Sequence, residues 1–89
     1  MSVAVREPSA AIHDKVLGIL TSIADTDEVV ANPELRLFDL DVLDSLKTVE
    51  LMIALSDAFG VDISPAEFER ELWATPRLIV ADIERRIGA

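Results

Sequence analysis

The sequence predicts an all-α fold: a four-helix bundle with three longer helices, one short third helix and a long loop between the first and second. Three observations carry this. Three segments repeat apolar residues at the spacing of a helix that packs one face on a core. Helix start and stop signals bracket them. The 89 residues suit one small domain, and a hydrophobic content of 51% argues against disorder.

In chain order, residues 1–9 read as a flexible N-terminal arm ending at Pro8-Ser9, with Ser9 a suitable N-cap. Ile12, Val16, Ile19, Leu20 and Ile23 form one stripe, so the first helix is expected over residues 10–24. Gly18 inside it costs about 1 kcal/mol relative to alanine, and either permits close helix packing or has no packing role.

A connection over residues 25–44 follows. A loop this long in a small domain is unusual and often functional. It is acidic, with Asp25, Asp27, Glu28, Glu34, Asp39, Asp41 and Asp44 against Arg36. Leu35, Leu37, Phe38, Leu40 and Leu43 punctuate it and are expected to tie it to the core. Asn32-Pro33 marks a turn within it.

The second helix is expected from Ser45 to Phe59, with Gly60 at the C′ position. Projected at about 100° per residue it shows two apolar sectors. Leu51, Met52, Leu55 and Phe59 lie on one side. Leu46, Val49 and Ile53 lie on the other, bordered by Glu50 and Asp57. A helix buried all round would not carry those carboxylates, so the second sector reads as an exposed apolar strip with an acidic edge. Val61-Asp62-Ile63 is a short extended link. Ser64-Pro65-Ala66-Glu67 has the form of a capping box with proline at N1, opening a short third helix that ends near Leu72. Thr75-Pro76 repeats the signal before a fourth helix with the stripe Ile79, Val80, Ile83 and Ile87. Arg85 and Arg86 sit near its negative end.

Charge and composition exclude several functions. The formal charge of −9 repels nucleic acid and anionic membrane surfaces and favours partners with basic patches. There is no cysteine, hence no disulfide or thiolate chemistry, and one histidine, His13, builds no zinc site. No apolar run of about 18 residues spans a bilayer, and the opening MSVAVREPSA has no signal-peptide core. A soluble cytoplasmic monomer is expected. Asp39, Asp41 and Glu50 fall at positions 1, 3 and 12 of an EF-hand loop, but Leu43 and Asp44 stand where a ligand and a glycine are needed, so a specific site is rejected. Glu67, Glu69 and Glu71 read as a solvated face. No general base, metal cluster or glycine-rich phosphate loop indicates a free-standing enzyme, and no catalytic residue is assigned.

Ser45 stands where the acidic connection becomes the apolar second helix. Its bland reading is a helix cap. The surrounding Leu43-Asp44-Ser45-Leu46, with Thr48 and Glu50-Leu51 beyond, resembles the attachment motif of the acyl and peptidyl carrier protein family. The resemblance runs from about Ile12 to Ile87 and implies a carrier domain over residues 10–89. It implies that Ser45 accepts 4′-phosphopantetheine from coenzyme A, and that a phosphopantetheinyl transferase supplies the catalysis and Mg²⁺. Phe59-Gly60-Val61, Glu67-Phe68-Glu69-Arg70 and Trp73-Ala74-Thr75-Pro76 resemble the D-alanyl carrier subfamily most. That implies an ATP-dependent D-alanine ligase and a downstream acyltransferase for cell-envelope esterification. Fatty-acyl or other aminoacyl cargo is the alternative, and an unmodified interaction module is an alternative of another class. Trp73 itself reads as core packing between the third and fourth helices. Asp41 stands where many carriers have glycine, and aspartate tolerates the left-handed region better than most residues. Lys47 lowers the negative charge beside the serine. Asp44, Leu46, Val49, Glu50, Ile53 and Asp57 are the expected partner-binding residues, with Leu46 the foremost and Val49 the one most prone to burial.

Overall fold

The computed structural model describes residues 8–88. Helix α1 spans Pro8–Ala24, α2 is one turn at Glu28–Ala31, α3 spans Ser45–Phe59 and α4 spans Pro76–Gly88. Two 3₁₀ turns, Pro65–Glu67 and Arg70–Trp73, join α3 to α4. The expected all-α bundle with a long first connection is the observed architecture. Residues 1–7 of the expected arm lie outside the described residues. Because α1 already starts at Pro8, Ser9 lies in its first turn and not at the cap.

Helix α1 packs against both α3 and α4. The core is built where their stripes meet: Val16 and Leu20 from α1, Leu51 and Leu55 from α3, Ile79 and Ile83 from α4, all without solvent access. Each such side chain contributes on the order of 1.5–3 kcal/mol by leaving water. Ile87, at the end of the α4 stripe, is exposed instead. Gly18 is exposed, and a Cβ there would meet nothing, so no close packing depends on it.

The connection is less loop-like than its composition suggests. Helix α2 occupies part of it and buries Val29. Leu37 and Leu43 fill the core, while Leu35 and Phe38 are partly buried against it. Leu40 departs from expectation, being 60% exposed. The segment is fastened to the start of α4 by main-chain bonds: the Leu37 N–H donates to the Ala74 carbonyl at 2.9 Å and the Arg77 N–H to the Pro33 carbonyl at 3.0 Å. An ion pair between Glu34 and Arg77 joins the same two regions. Asp41 takes φ 59°, the left-handed conformation expected of a residue standing in for glycine. There the chain folds back, and the Val42 and Leu43 N–H groups both donate to the Leu37 carbonyl.

The short third helix is a pair of 3₁₀ turns. Ser64 is followed by proline as expected, but its side chain makes no capping bond. Phe68 and Glu69 are extended and separate the turns. Phe68 then meets Trp73 edge-on, with ring centroids 5.1 Å apart. Thr75 does cap: its Oγ1 accepts from the Leu78 N–H at 3.3 Å, with Pro76 the first residue of α4.

Trp73 is fully buried, as the packing reading requires. Its Nε1 donates to Asp82 Oδ2 at 2.9 Å. Arg86 Nε donates to the same oxygen at 2.9 Å, and Arg85 pairs with Asp82 Oδ1. Arg86 also donates to the Asp62 carbonyl at 3.1 Å. The two arginines therefore hold a buried carboxylate as well as lying near the end of α4. Burial by itself raises the Asp82 pKa, but the hydrogen bonds from Trp73 and Arg86, the Arg86 charge and then the Arg85 bond outweigh it and hold the carboxyl below its ordinary value.

Candidate functional site

The head of α3 is set by Asp44. Its backbone is extended and its Oδ1 accepts from the Lys47 N–H at 2.8 Å. Its carbonyl accepts from the Thr48 N–H at 2.9 Å and from Thr48 Oγ1 at 2.6 Å. Asp44 is thus the N-cap, and Ser45 is the first residue of the helix. This corrects the cap reading of Ser45: capping falls to its neighbour, and Ser45 sits exposed at the positive end of a 15-residue helix. Of the first N–H groups of the helix, that of Lys47 is taken by Asp44, while those of Ser45 and Leu46 have no acceptor within the helix. Gly60, at φ 67°, ends α3 as expected.

From Ser45 the exposed side of α3 carries Leu46, 68% exposed, Val49, 41%, and Ile53, 65%. Val49 is the least exposed of the three, in the order the sequence suggests. Glu50 and Asp57 are exposed beside them. Leu51, Met52 and Leu55 point the other way into the core, so the two apolar sectors are distinct faces. All six expected partner-binding residues lie on α3 or at its cap, on the solvent side.

Two grooves flank the strip. One, of about 440 Å³, runs past Val49, Ile53 and Asp57 to Ile63 and Pro65. The other, of about 250 Å³, opens beside Ser45 and is walled by Phe38, Val49, Met52, Phe68 and Arg70. Val49 borders both, which makes the strip continuous with the space next to the serine.

Phe38, Phe68 and Arg70 were not singled out beside Ser45 by the sequence. They reach it from the long connection and from the segment between the helices. The Arg70 guanidinium lies 4.7 Å from the Phe38 ring centroid, and Phe38 and Phe68 have centroids 6.5 Å apart. A pairing of one cation with an aromatic ring some 30 residues away leaves no periodic trace in sequence.

A small helical bundle that presents a hydroxyl at a helix head, above an apolar groove and next to an exposed apolar strip, has the form of a carrier, a protein that holds a group for others to act on. A family model described as "Phosphopantetheine attachment site" matches residues 14–86, and the chain belongs to that family. Its relatives are named more narrowly. It is 42% identical over 74 residues to a D-alanyl carrier protein of Listeria monocytogenes serotype 4a, covering 83% of this chain and 95% of that one. It is 41% identical over 73 residues to the D-alanyl carrier protein of Enterococcus faecalis, covering 82% and 94%. With that of Lacticaseibacillus rhamnosus it shares 43% over 75 residues, covering 84% and 93%.

The family carries 4′-phosphopantetheine. The head of α3 fits such a group. It has an exposed hydroxyl at the positive end of a helix, which suits a phosphodiester anion, and an apolar groove alongside. Carriers of this type are generally non-catalytic and work with a phosphopantetheinyl transferase and with ligases. Among the described residues no helix is long and apolar enough to cross a membrane.

Proposed function

We propose that Ser45 is the attachment point and that this chain carries D-alanine. The single observation behind the first part is the exposed Ser45 hydroxyl, relieved of capping by Asp44, at the head of α3. The D-alanyl carrier names of its relatives support the second.

In loading, the Ser45 Oγ attacks the phosphorus that joins pantetheine to the rest of coenzyme A. The new P–O bond forms as the bond to the second phosphate breaks. Adenosine 3′,5′-bisphosphate leaves, and the hydroxyl proton passes to a base on the transferase. The chain contributes the oxygen, its position and the positive helix end. When attached, the arm supplies the thiol that a cysteine-free chain lacks and holds the acyl group as a thioester. The chain itself catalyses nothing. An ATP-dependent ligase charges the arm in the cytoplasm, and a downstream acyltransferase passes D-alanine on for cell-envelope esterification. Leu46, Val49 and Ile53 form the contact surface for these enzymes, with Asp44, Glu50 and Asp57 meeting basic residues in transient, salt-sensitive association by a monomer.

Mass spectrometry after incubation with coenzyme A and a broad-specificity transferase tests the site. One arm per chain is expected for the wild type and none for Ser45→Ala; an arm on the variant refutes the assignment. The cargo is tested by offering the loaded chain to a D-alanine ligase and to ligases for other amino and fatty acids.

A further inference from the structure

Among the described residues that line the groove beside Ser45, Arg70 is the one cation. Its placement is fixed at both ends. Its guanidinium rests on the Phe38 ring. Its backbone opens the turn Arg70–Trp73, whose last residue is locked in the core by Asp82. A row of rings, Trp73 to Phe68 to Phe38, thus runs from the interior to the guanidinium.

The other arginines among the described residues pair elsewhere: Arg85 and Arg86 with Asp82, Arg77 with Glu34, and Arg36 with Asp39 at 3.2 Å. Lys47, though near Ser45 in sequence, does not line the groove. Attachment at Ser45 brings a permanent anion next to the Asp44 carboxylate in a chain of net charge −9. The helix N–H groups offset part of that repulsion. A planar guanidinium whose orientation is already set by stacking supplies paired donors for phosphate oxygens and loses little freedom in doing so.

We infer that Arg70, held on Phe38, binds the phosphodiester of the arm and sets the direction in which the arm leaves Ser45. Arg70 is then a positioning residue for the prosthetic group. The inference rests on Ser45 being the attachment point.

The test uses the full chain before and after transferase loading, with mass spectrometry establishing attachment first. Arginine Nε–Hε resonances are then compared in the two states, Arg70 being assigned by its loss in Arg70→Ala. The expected result is a shift of the Arg70 resonance on loading while that of Arg85 stays in place, together with a changed ³¹P shift in loaded Arg70→Ala. Arg70→Lys recovers part of the ³¹P shift, because charge remains without the fork. Phe38→Leu reduces the Arg70 response, because the stack is lost. Unchanged Trp73 fluorescence establishes that the variants are folded. Complete loading with an unmoved Arg70 resonance overturns the inference and leaves the Ser45 assignment standing. A moved Arg70 resonance with the same ³¹P shift in wild type and Arg70→Ala also overturns it, placing the contact further along the arm. Failure of Ser45 to gain the arm overturns both readings.

Discussion

Trp73 and Asp82 meet inside the bundle, the indole Nε1 donating to the carboxylate at 2.9 Å, and this bond joins the turn that carries Arg70 to the middle of α4. Both side chains are almost wholly out of solvent. Removing the acceptor leaves a buried N–H unpaired and withdraws the anion that Arg85 and Arg86 share. Asp82→Ala is expected to cost about 2–4 kcal/mol. The loss is read in urea denaturation followed by the fluorescence of Trp73, the chain's single tryptophan.

The same carboxylate makes stability depend on pH with a definite sign. Its folded pKa lies below the ordinary value of 3.8, so folding favours the ionised form. The stabilisation is complete above that ordinary value and is lost as pH falls through the lowered folded pKa. Over that acid window the stability difference between wild type and Asp82→Asn should narrow as pH decreases. A difference that stays constant down to acid-induced unfolding would count against the lowered pKa.

At the head of α3 the two adjacent residues should separate cleanly. Asp44→Ala removes the side-chain acceptor for the Lys47 N–H and should cost about 1 kcal/mol. Ser45→Ala removes an exposed hydroxyl outside the cap and should change stability by less than about 0.5 kcal/mol. Thermal melts of the two variants are the check. Equal losses would mean that the serine shares in capping.

Gly18 lies within α1, with open space where a side chain would stand. Gly18→Ala should therefore stabilise the chain by roughly 0.5–1 kcal/mol, the helix-propensity difference alone. A rise in the denaturation midpoint without a change in slope is the expected signature.

Leu46 is 68% exposed and is not among the buried residues of the core. Leu46→Asp should leave the fold intact and lower the efficiency with which a transferase loads Ser45, by at least tenfold if the leucine is a central anchor. Circular dichroism and initial loading rates, measured on the same preparation, separate the two effects.

The helices and their faces were legible in the chain because each follows from local physics. The α3 stripes sorted correctly into a buried set around Leu51 and Leu55 and an exposed set around Leu46 and Ile53. Gly60 and Thr75-Pro76 marked real helix ends, and Asp41 adopted the left-handed conformation its position called for. Elsewhere local rules misled. Ser45 looked like a cap until Asp44 was seen to hold the Lys47 N–H. The expected third helix became two turns because extended residues at Phe68 and Glu69 bring the phenyl ring to Trp73. Leu40, one of several apolar residues in the connection, was left in solvent.

What the sequence determined by itself was the number of long helices and the apolar sectors of α3, because spacing, caps and turn residues act within a few positions. Tertiary structure alone decided that Asp82 is a buried anion for Trp73, Arg85 and Arg86, and that Arg70 and Phe38 stand beside Ser45. Those arrangements depend on pairs distant in the chain brought together by core packing, and no short-range pattern encodes which distant partner a charge will find.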